Sequence, residues 1–187
     1  MIRIVIFASG SGTNAENIIK HFSGNERAKV TLVLTNNKDA GVLKRAKELN
    51  IPSKIFSKTH LNSEEFLHFL KKEADFIVLA GFLLKIPERI IEEFPYRIIN
   101  IHPALLPKYG GKGMYGMYVH KAVVENKEPF TGITIHYVNE RYDEGAIIFQ
   151  EKVALTSNDT PEDVARKIHQ LEQKNFPKII EKVLFIK

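Results

Sequence analysis

The chain has 187 residues, 44% of them hydrophobic, and a formal net charge of +5. It contains no cysteine, which excludes disulfides, thiolate zinc sites and cysteine nucleophiles. The Lys and Arg residues are dispersed rather than gathered with aromatic residues in one run, so the charge favours an anionic small-molecule partner over nucleic acid.

The N-terminal sequence does not read as a secretory signal, because Arg3 interrupts its apolar run and Gly and Ser follow at once. The longest apolar stretch, at residues 76–84, is far shorter than the roughly 20 residues that span a bilayer. We therefore expect a cytoplasmic protein without a membrane partner.

The first half of the chain alternates between apolar runs and helical patterns. β-branched apolar runs predict five strands, at residues 2–8, 30–35, 53–56, 75–81 and 96–101. Helical spacing predicts helices at residues 14–22 and 40–49, and a third helix that begins after Asn62 or Ser63. This alternation predicts an α/β fold with a mostly parallel sheet and helices on both faces.

The second half changes character. Residues 132–139 and 145–155 are close in sequence and predict an antiparallel pair of strands. Pro161 lies at the expected first turn of a final helix that runs towards Leu184. No linker or repeat interrupts the chain, so we predict one domain.

The glycine-rich segment SGSGTN follows the first strand and precedes the first helix. Backbone N–H groups at such a helix N-terminus bind anions, so the segment predicts a phosphate site. Gly10, Gly12 and Ala15 also fit the dinucleotide-binding pattern, but Asn36 and Asn37 stand where that pattern has an acid. A nicotinamide site and a tight turn without a ligand remain alternatives.

The segment INIHPALLP places Asn100 and His102 two residues apart at the end of a predicted strand. Residues i and i+2 of a strand point to the same side, and ligands bind at the carboxyl ends of parallel strands. An amide beside an imidazole suits the stabilisation of an oxyanion. The alternative is a hydrogen-bonded structural histidine.

An acid beside His102 would orient the imidazole and favour its charged form. Asp143 is a candidate, in a turn between the two late strands, but Glu140 and Glu144 are equally acidic neighbours. Sequence pattern does not choose among the three carboxylates. The roles of His120 and His136 also remain open.

The segment at residues 108–123 separates the histidine from these acids and contains four glycines. We interpret it as a mobile lid that excludes water from a reaction site, with an ordinary surface loop as the alternative.

Taken together, SGSGTN, VLAGFLLKI, IINIHPALLPKYGG, TGITIHYVNERYDEGAII and HQLEQKNFP resemble the glycinamide ribonucleotide (phosphoribosylglycinamide) formyltransferases. The resemblance covers essentially the whole chain. It implies a Rossmann-like formyltransferase fold in a single domain, residues 1–187. Residues 1–100 would form the nucleotide- and phosphate-binding half, and residues 101–187 the catalytic and folate-binding half.

The resemblance implies formyl transfer from 10-formyltetrahydrofolate to glycinamide ribonucleotide, without a metal, by a monomer or homodimer. The implied catalytic residues are Asn100, His102 and Asp143. The implied substrate-binding residues are Gly12, Thr13, Asn14, His169, Gln170, Leu171 and Glu172. The implied folate-binding residues are Glu64, Leu83, Leu84, Lys85, Ile86, Asn100, Asn139, Glu140, Arg141, Tyr142 and Asp143.

The chain departs from the family at two places that concern the folate and at one that concerns the lid. Glu64 stands where the family often has an arginine, and Leu84 or Lys85 takes the place of another. The glycine-rich segment after residue 108 is also longer than the commoner form. The folate tail is therefore expected to bind differently here.

Other functions share parts of this pattern. A formyltetrahydrofolate hydrolase would use water as the nucleophile but adds an N-terminal module, and methionyl-tRNA formyltransferase adds a C-terminal nucleic-acid-binding domain. A nicotinamide-dependent oxidoreductase or a non-catalytic nucleotide-binding module would use the same glycine turn. The missing acid at Asn36 and Asn37 argues against the nicotinamide enzyme.

Overall fold

The structure, a computed structural model, describes residues 1–185. The chain divides into two compact units, Met1–Asn100 and Ile101–Lys187, at the boundary between the two predicted halves. The functions assigned to the halves, and the single domain, remain predictions. Within the described residues, no helix has both the length and the apolar character needed to cross a bilayer.

The first unit is built on parallel strands in the order β3-β2-β1-β4-β5. Its strands are β1 (Ile2–Phe7), β2 (Ala28–Thr35), β3 (Ser53–Ile55), β4 (Phe76–Leu79) and β5 (Ile98–His102). The last two residues of β5 belong to the second unit. The central strands β1 and β4 are buried throughout or nearly so, as expected for a parallel sheet covered by helices.

The helices of the first unit are α1 (Thr13–His21), α2 (Gly41–Glu48), α3 (Lys58–Leu61), α4 (Glu64–Glu73) and α5 (Glu88–Glu93). The predicted start of α4 is confirmed, because the Ser63 hydroxyl accepts a hydrogen bond from the Phe66 N–H. The short helices α3 and α5 were not predicted, since one or two turns carry too little periodicity to be recognised.

The second unit contains two antiparallel strands, β6 (Phe130–Tyr137) and β7 (Ile147–Ala154). Its helices are α6 (Met117–Glu125) and α7 (Pro161–Phe185). Helix α7 packs against α6 and both strands. The predicted fold class is confirmed: an α/β protein, mostly parallel, with antiparallel strands in its C-terminal half.

Most predicted boundaries shift by one or two residues, and two differences bear on His102 and on the glycine-rich segment. Strand β5 includes His102, whereas the prediction ended one residue earlier at 101. The predicted loop at residues 108–123 becomes helix from Met117 onwards, because Val119 and Val123 bury one face of α6 beside Ala104. Tertiary packing therefore overrides the glycines that precede the helix.

Candidate active site

A carboxylate and two imidazoles form a buried polar cluster in the second unit. His102 ends β5, His136 lies near the end of β6, and Asp143 occupies the turn between β6 and β7. Nδ1 of His102 is 3.5 Å from Oδ2 of Asp143, and Nε2 of His136 is 3.6 Å from Oδ1. The structure thus brings together two of the three predicted catalytic residues and adds His136.

The hydrogen bonds on the far side of each imidazole fix the position of one proton. Nε2 of His102 is 2.7 Å from the Tyr109 carbonyl, and Nδ1 of His136 is 2.8 Å from the Tyr137 carbonyl. A carbonyl oxygen only accepts, so these two ring nitrogens are the donors. Both nitrogens of each imidazole thus face an acceptor oxygen, and a ring donates to its carbonyl and to Asp143 at the same time only after it has taken up a second proton.

Burial is the largest influence on the pKa values of His102 and Asp143. Burial lowers the pKa of His102, and outweighs Asp143 and the Tyr109 carbonyl, which both raise it. Burial alone would raise the pKa of Asp143, but the contacts with His136, His102 and Gly111 lower it overall. Asp143 therefore raises the pKa of His102, as expected, but desolvation of the ring is the larger effect and the pKa lies below its usual value.

The backbone of the turn determines which acid faces the histidines. Asp143 has φ 58°, in the left-handed region that costs a residue other than glycine roughly 1 kcal/mol. A Cβ at Gly145 would lie 1.7 Å from the Tyr137 carbonyl oxygen, so only glycine lets the turn approach β6 this closely. Glu140 and Glu144 are exposed, and Glu144 pairs with Arg141 at 3.3 Å.

The glycine-rich segment before α6 contacts the same carboxylate. The Gly111 N–H donates to Oδ2 of Asp143 at 2.9 Å, the oxygen that also faces His102. A Cβ at Gly110 would meet Leu106 Cδ2 at 2.5 Å and Asp143 Cβ at 3.3 Å. The start of the predicted lid is therefore packed against the cluster.

Tyr109 anchors the other end of this contact. Its hydroxyl donates to Glu128 at 2.8 Å, and burial together with that carboxylate raises the pKa of Tyr109 to about 12. Its backbone is left-handed, with φ 57°, and its carbonyl accepts from His102. Any movement of the segment at Tyr109 therefore changes the hydrogen bonding of His102.

The chain after His102 is held by a buried hydroxyl. Thr134 Oγ1 donates to the Ala104 carbonyl at 2.7 Å and accepts from the Leu106 N–H at 3.0 Å. Gln150 Nε2 donates to the same oxygen at 2.8 Å. These contacts fix the proline-flanked segment that follows the imidazole.

The glycine turn belongs to the first unit. Gly12 is the N-cap of α1, with φ 78° and no side-chain capping hydrogen bond. A Cβ there would lie 2.5 Å from Val42 Cβ, so only glycine fits. Thr13 and Asn14 form the half-buried first turn, which presents the kind of backbone anion site that the sequence predicted.

The two asparagines that replace an acid have structural contacts. Asn36 Oδ1 accepts from the Ser9 hydroxyl at 2.6 Å, and Asn37 Nδ2 donates to the Ser9 carbonyl at 3.3 Å. Ser9 Oγ also accepts from the Leu83 N–H at 3.1 Å. The buried Ser9 thereby joins the glycine turn to the segment at residues 83–86.

The predicted folate-binding residues are divided between the units. In the first unit, Ile86 is buried, Leu84 is half-buried, and Leu83 and Lys85 are exposed; Glu64 pairs with Arg89 at 2.9 Å. In the second unit, the turn after β6 contains Asn139, Glu140, Arg141, Tyr142 and Asp143.

The remaining predicted substrate-binding residues lie on α7. His169 and Glu172 form a pair at 3.7 Å, Leu171 is half-buried and Gln170 is exposed. The charge of Glu172 raises the pKa of His102 and of His120, against the larger lowering effect of burial. Glu172 is therefore within electrostatic reach of the cluster. Among residues 1–185, no group of three His, Asp or Glu side chains is arranged to hold a metal ion.

A family model described as formyl transferase matches residues 2–180. This chain belongs to the formyl transferase family.

Within the formyl transferase family, the chain is similar to several proteins named phosphoribosylglycinamide formyltransferase. The chain is 41% identical to the chloroplastic phosphoribosylglycinamide formyltransferase of Arabidopsis thaliana, over 95% of this chain and 64% of that protein. It is 34% identical to phosphoribosylglycinamide formyltransferase of Bacillus subtilis, over 98% of this chain and 95% of that protein. The crystal structure of the Bacillus halodurans phosphoribosylglycinamide formyltransferase matches with a TM-score of 0.88 and 35% identity. The match covers 98% of this chain and 96% of that one.

The chain thus spans less than two thirds of the length of the plant relative and nearly all of the bacterial one. The resemblance seen in the sequence is confirmed, together with the formyltransferase fold. The individual roles of the site residues remain predictions. His136 is the functional candidate that the sequence left open; its only signal was its position in a strand that precedes the acidic turn.

Proposed function

We propose that this protein transfers the formyl group of 10-formyltetrahydrofolate to the amine of glycinamide ribonucleotide, a step of de novo purine (IMP) synthesis. The observation that carries the proposal is the His102–Asp143–His136 cluster in a formyl transferase. The relatives named phosphoribosylglycinamide formyltransferase support this choice of substrates. Small molecules are the proposed partners, and the cytoplasm the proposed location.

The first chemical step is attack of the glycinamide nitrogen on the formyl carbon. A C–N bond forms, and the formyl oxygen becomes an oxyanion. We assign Asn100, two residues before His102 on β5, as an amide donor to that oxygen. His102 is the second donor, and both act on charge that exists only after attack has begun.

The attacking nitrogen must lose a proton as the bond forms. The cluster accepts it, because an imidazole that faces both a carbonyl and the Asp143 carboxylate gains a second hydrogen bond when it takes up a second proton. When the bond from the carbon to folate N10 breaks, the cluster returns the proton to N10. The products are the formylated amide and tetrahydrofolate, and the cluster is unchanged.

Contact between His102 and the substrate requires a change at Tyr109. Nδ1 of His102 faces Asp143, so Nε2 is the nitrogen available to the substrate, and in the free protein it donates to the Tyr109 carbonyl. A shift of the glycine-rich segment frees Nε2–H for the oxyanion. We assign this movement to residues 108–116, the part of the predicted lid at 108–123 that precedes α6, in addition to the exclusion of water.

The phosphate of the ribonucleotide is assigned to Gly12, Thr13 and Asn14. The support is the uncapped N-terminus of α1 and the left-handed Gly12. The proposed folate contacts at residues 83–86 and 139–143, and the substrate contacts at residues 169–172, rest on the family resemblance.

A formyl-transfer assay tests the function. Purified protein is mixed with 10-formyltetrahydrofolate, with and without glycinamide ribonucleotide, and tetrahydrofolate is measured. We expect rapid release only when the amine is present, and no loss of rate on addition of a chelator. Equal rates without the amine would identify a hydrolase, in which water is the nucleophile.

A further inference from the structure

Helix α2 braces the glycine turn from behind. The Val42 N–H donates to the Gly10 carbonyl at 3.1 Å, and Gly12 packs so closely on Val42 that a Cβ would overlap it. The Gly10 carbonyl is thereby directed towards α2. Hydrogen-bonded carbonyls on one side of a turn fix the orientation of its peptide planes, and hence of its N–H groups.

Arg45, one turn further along α2, adds a side-chain brace. Its Nε donates to the Ser11 carbonyl at 2.8 Å, and its Nη1 donates to the carboxylate of Glu16. Arg45 therefore fixes the next carbonyl of the turn and reaches the first turn of α1 with one planar guanidinium.

The contact with Glu16 has an electrostatic consequence for an anion. Glu16 lies in the first turn of α1, the end of the helix that the phosphate would occupy. The hydrogen bonds from Lys20 and Arg45 lower the pKa of Glu16, so it is charged at neutral pH. An unpaired carboxylate there would repel a phosphate dianion, and the two cations offset that repulsion.

We propose that Arg45 is a positioning residue for the phosphate of the substrate: it orients the Ser11 peptide and neutralises Glu16 without touching the phosphate. The inference rests on the phosphate assignment of the proposed function and extends it to a residue outside the motif SGSGTN. The substrate class it serves is a phosphate monoester. The catalytic cluster of the second unit is not involved.

The test compares Arg45→Gln with Lys44→Gln. Lys44 is the neighbouring cation on the same helix, and it pairs with Glu48 at 3.8 Å instead of contacting the turn. We expect Arg45→Gln to raise the KM for glycinamide ribonucleotide about tenfold, the scale of one charge-assisted hydrogen bond. Its kcat and its KM for the folate should change less than about twofold. Lys44→Gln should change none of the three.

Two further variants separate positioning from folding. Arg45→Lys keeps the charge but loses the two-pronged contact, so its KM for the ribonucleotide should lie between those of the wild type and Arg45→Gln. Adding Glu16→Gln to Arg45→Gln should lower the raised KM, because it removes the negative charge that Arg45 no longer offsets. An unchanged KM in Arg45→Gln, equal rises for both substrates, or an equal effect of Lys44→Gln would overturn the inference.

A binding measurement keeps this inference separate from the proposed function. Ribose 5-phosphate is titrated into each protein by calorimetry. If the wild type failed to formylate glycinamide ribonucleotide, the proposed function would fail, yet weaker ribose 5-phosphate binding by Arg45→Gln than by Lys44→Gln would still support the role of Arg45. Equal binding by these two variants would overturn it.

Discussion

The glycine turn of the first unit and the histidine cluster of the second are organised in opposite ways. The turn uses backbone groups from adjacent residues, fixed by close packing on α2 and by paired surface charges. The cluster uses the side chains of His102, His136 and Asp143, which come from three segments and are largely buried. An anion is bound best by donors that never titrate, whereas proton transfer needs groups whose protonation changes readily.

The strongest test of this contrast is Asp143→Asn. The substitution keeps the shape of the side chain but removes the charge that faces both imidazoles. We expect kcat to fall by about 10²-fold or more, the scale of one positioned acid–base group, with little change in either KM. The pKa of His102, measured by NMR titration, should fall further below its usual value, because the charge of Asp143 raises it against burial.

The matched controls are Glu140→Gln and Glu144→Gln. Both side chains are exposed on the same turn, and Glu144 pairs with Arg141. Neither change should alter kcat by more than about twofold, since exposed pairs contribute little. A large loss in either control, with normal turnover in Asp143→Asn, would mean that the wrong carboxylate has been assigned.

A substitution in the glycine turn should weaken binding of the ribonucleotide rather than slow the chemical step. In Gly12→Ala the new Cβ overlaps Val42, and the backbone stays in the left-handed region. We expect the KM for glycinamide ribonucleotide to rise about tenfold or more, and the free energy of unfolding to fall by about 1–3 kcal/mol from overpacking. The KM for the folate should change much less.

Gly10→Ala is the control for Gly12→Ala. A Cβ at Gly10 would meet no atom within 4 Å, so stability and both KM values should stay near those of the wild type. A rise in both KM values of Gly12→Ala by the same factor would contradict the phosphate assignment.

A smaller effect is expected from proteolysis of the segment that links the cluster to α6. Lys112 is exposed between Gly111 and Gly113, which both have positive φ. Trypsin should cut after Lys112 rapidly in the free protein, and several-fold more slowly when both substrates or their analogues are bound. The fragment produced by this cut should be absent from digests of the Lys112→Gln variant, which identifies the cleavage site. Identical rates with and without ligands would argue against a lid.

The smallest effect concerns stability and pH. Burial lowers the pKa of His102 and of His120, so the unfolded chain binds more protons than the folded protein below pH of about 6.5. Their contribution to stability is therefore complete above that pH and is lost as the pH falls towards their folded values. The urea midpoint should be lower at pH 5.5 than at pH 7.5.

His120→Leu isolates one of the two histidines. Nδ1 of His120 is buried and, within the described residues, has no hydrogen-bond partner. Its replacement should therefore change the free energy of unfolding at pH 7.5 by no more than about 1 kcal/mol. It should also reduce the difference between the two pH values. An unchanged difference would show that His120 does not titrate as described.

Elements with a strong local pattern were predictable from the sequence, and elements that are short or that depend on distant packing contacts were not. The apolar runs of β1, β2 and β4 and the cap at Ser63 identified themselves locally, because their signals lie within a few adjacent residues. Helix α6 was taken for a loop, since the contact of Val119 with Ala104 that stabilises it is distant in sequence. The four glycines that precede it in the sequence favoured a loop instead.

The sequence by itself determined the glycine turn, the placement of Asn100 and His102 on one strand, and the family. All three depend on residue spacing along a short segment. Only the tertiary structure chose Asp143 over Glu140 and Glu144, because that choice depends on the left-handed turn and the close approach of Gly145 to β6. It also added His136 and reversed the expected direction of the His102 pKa, since burial is a property of the folded chain.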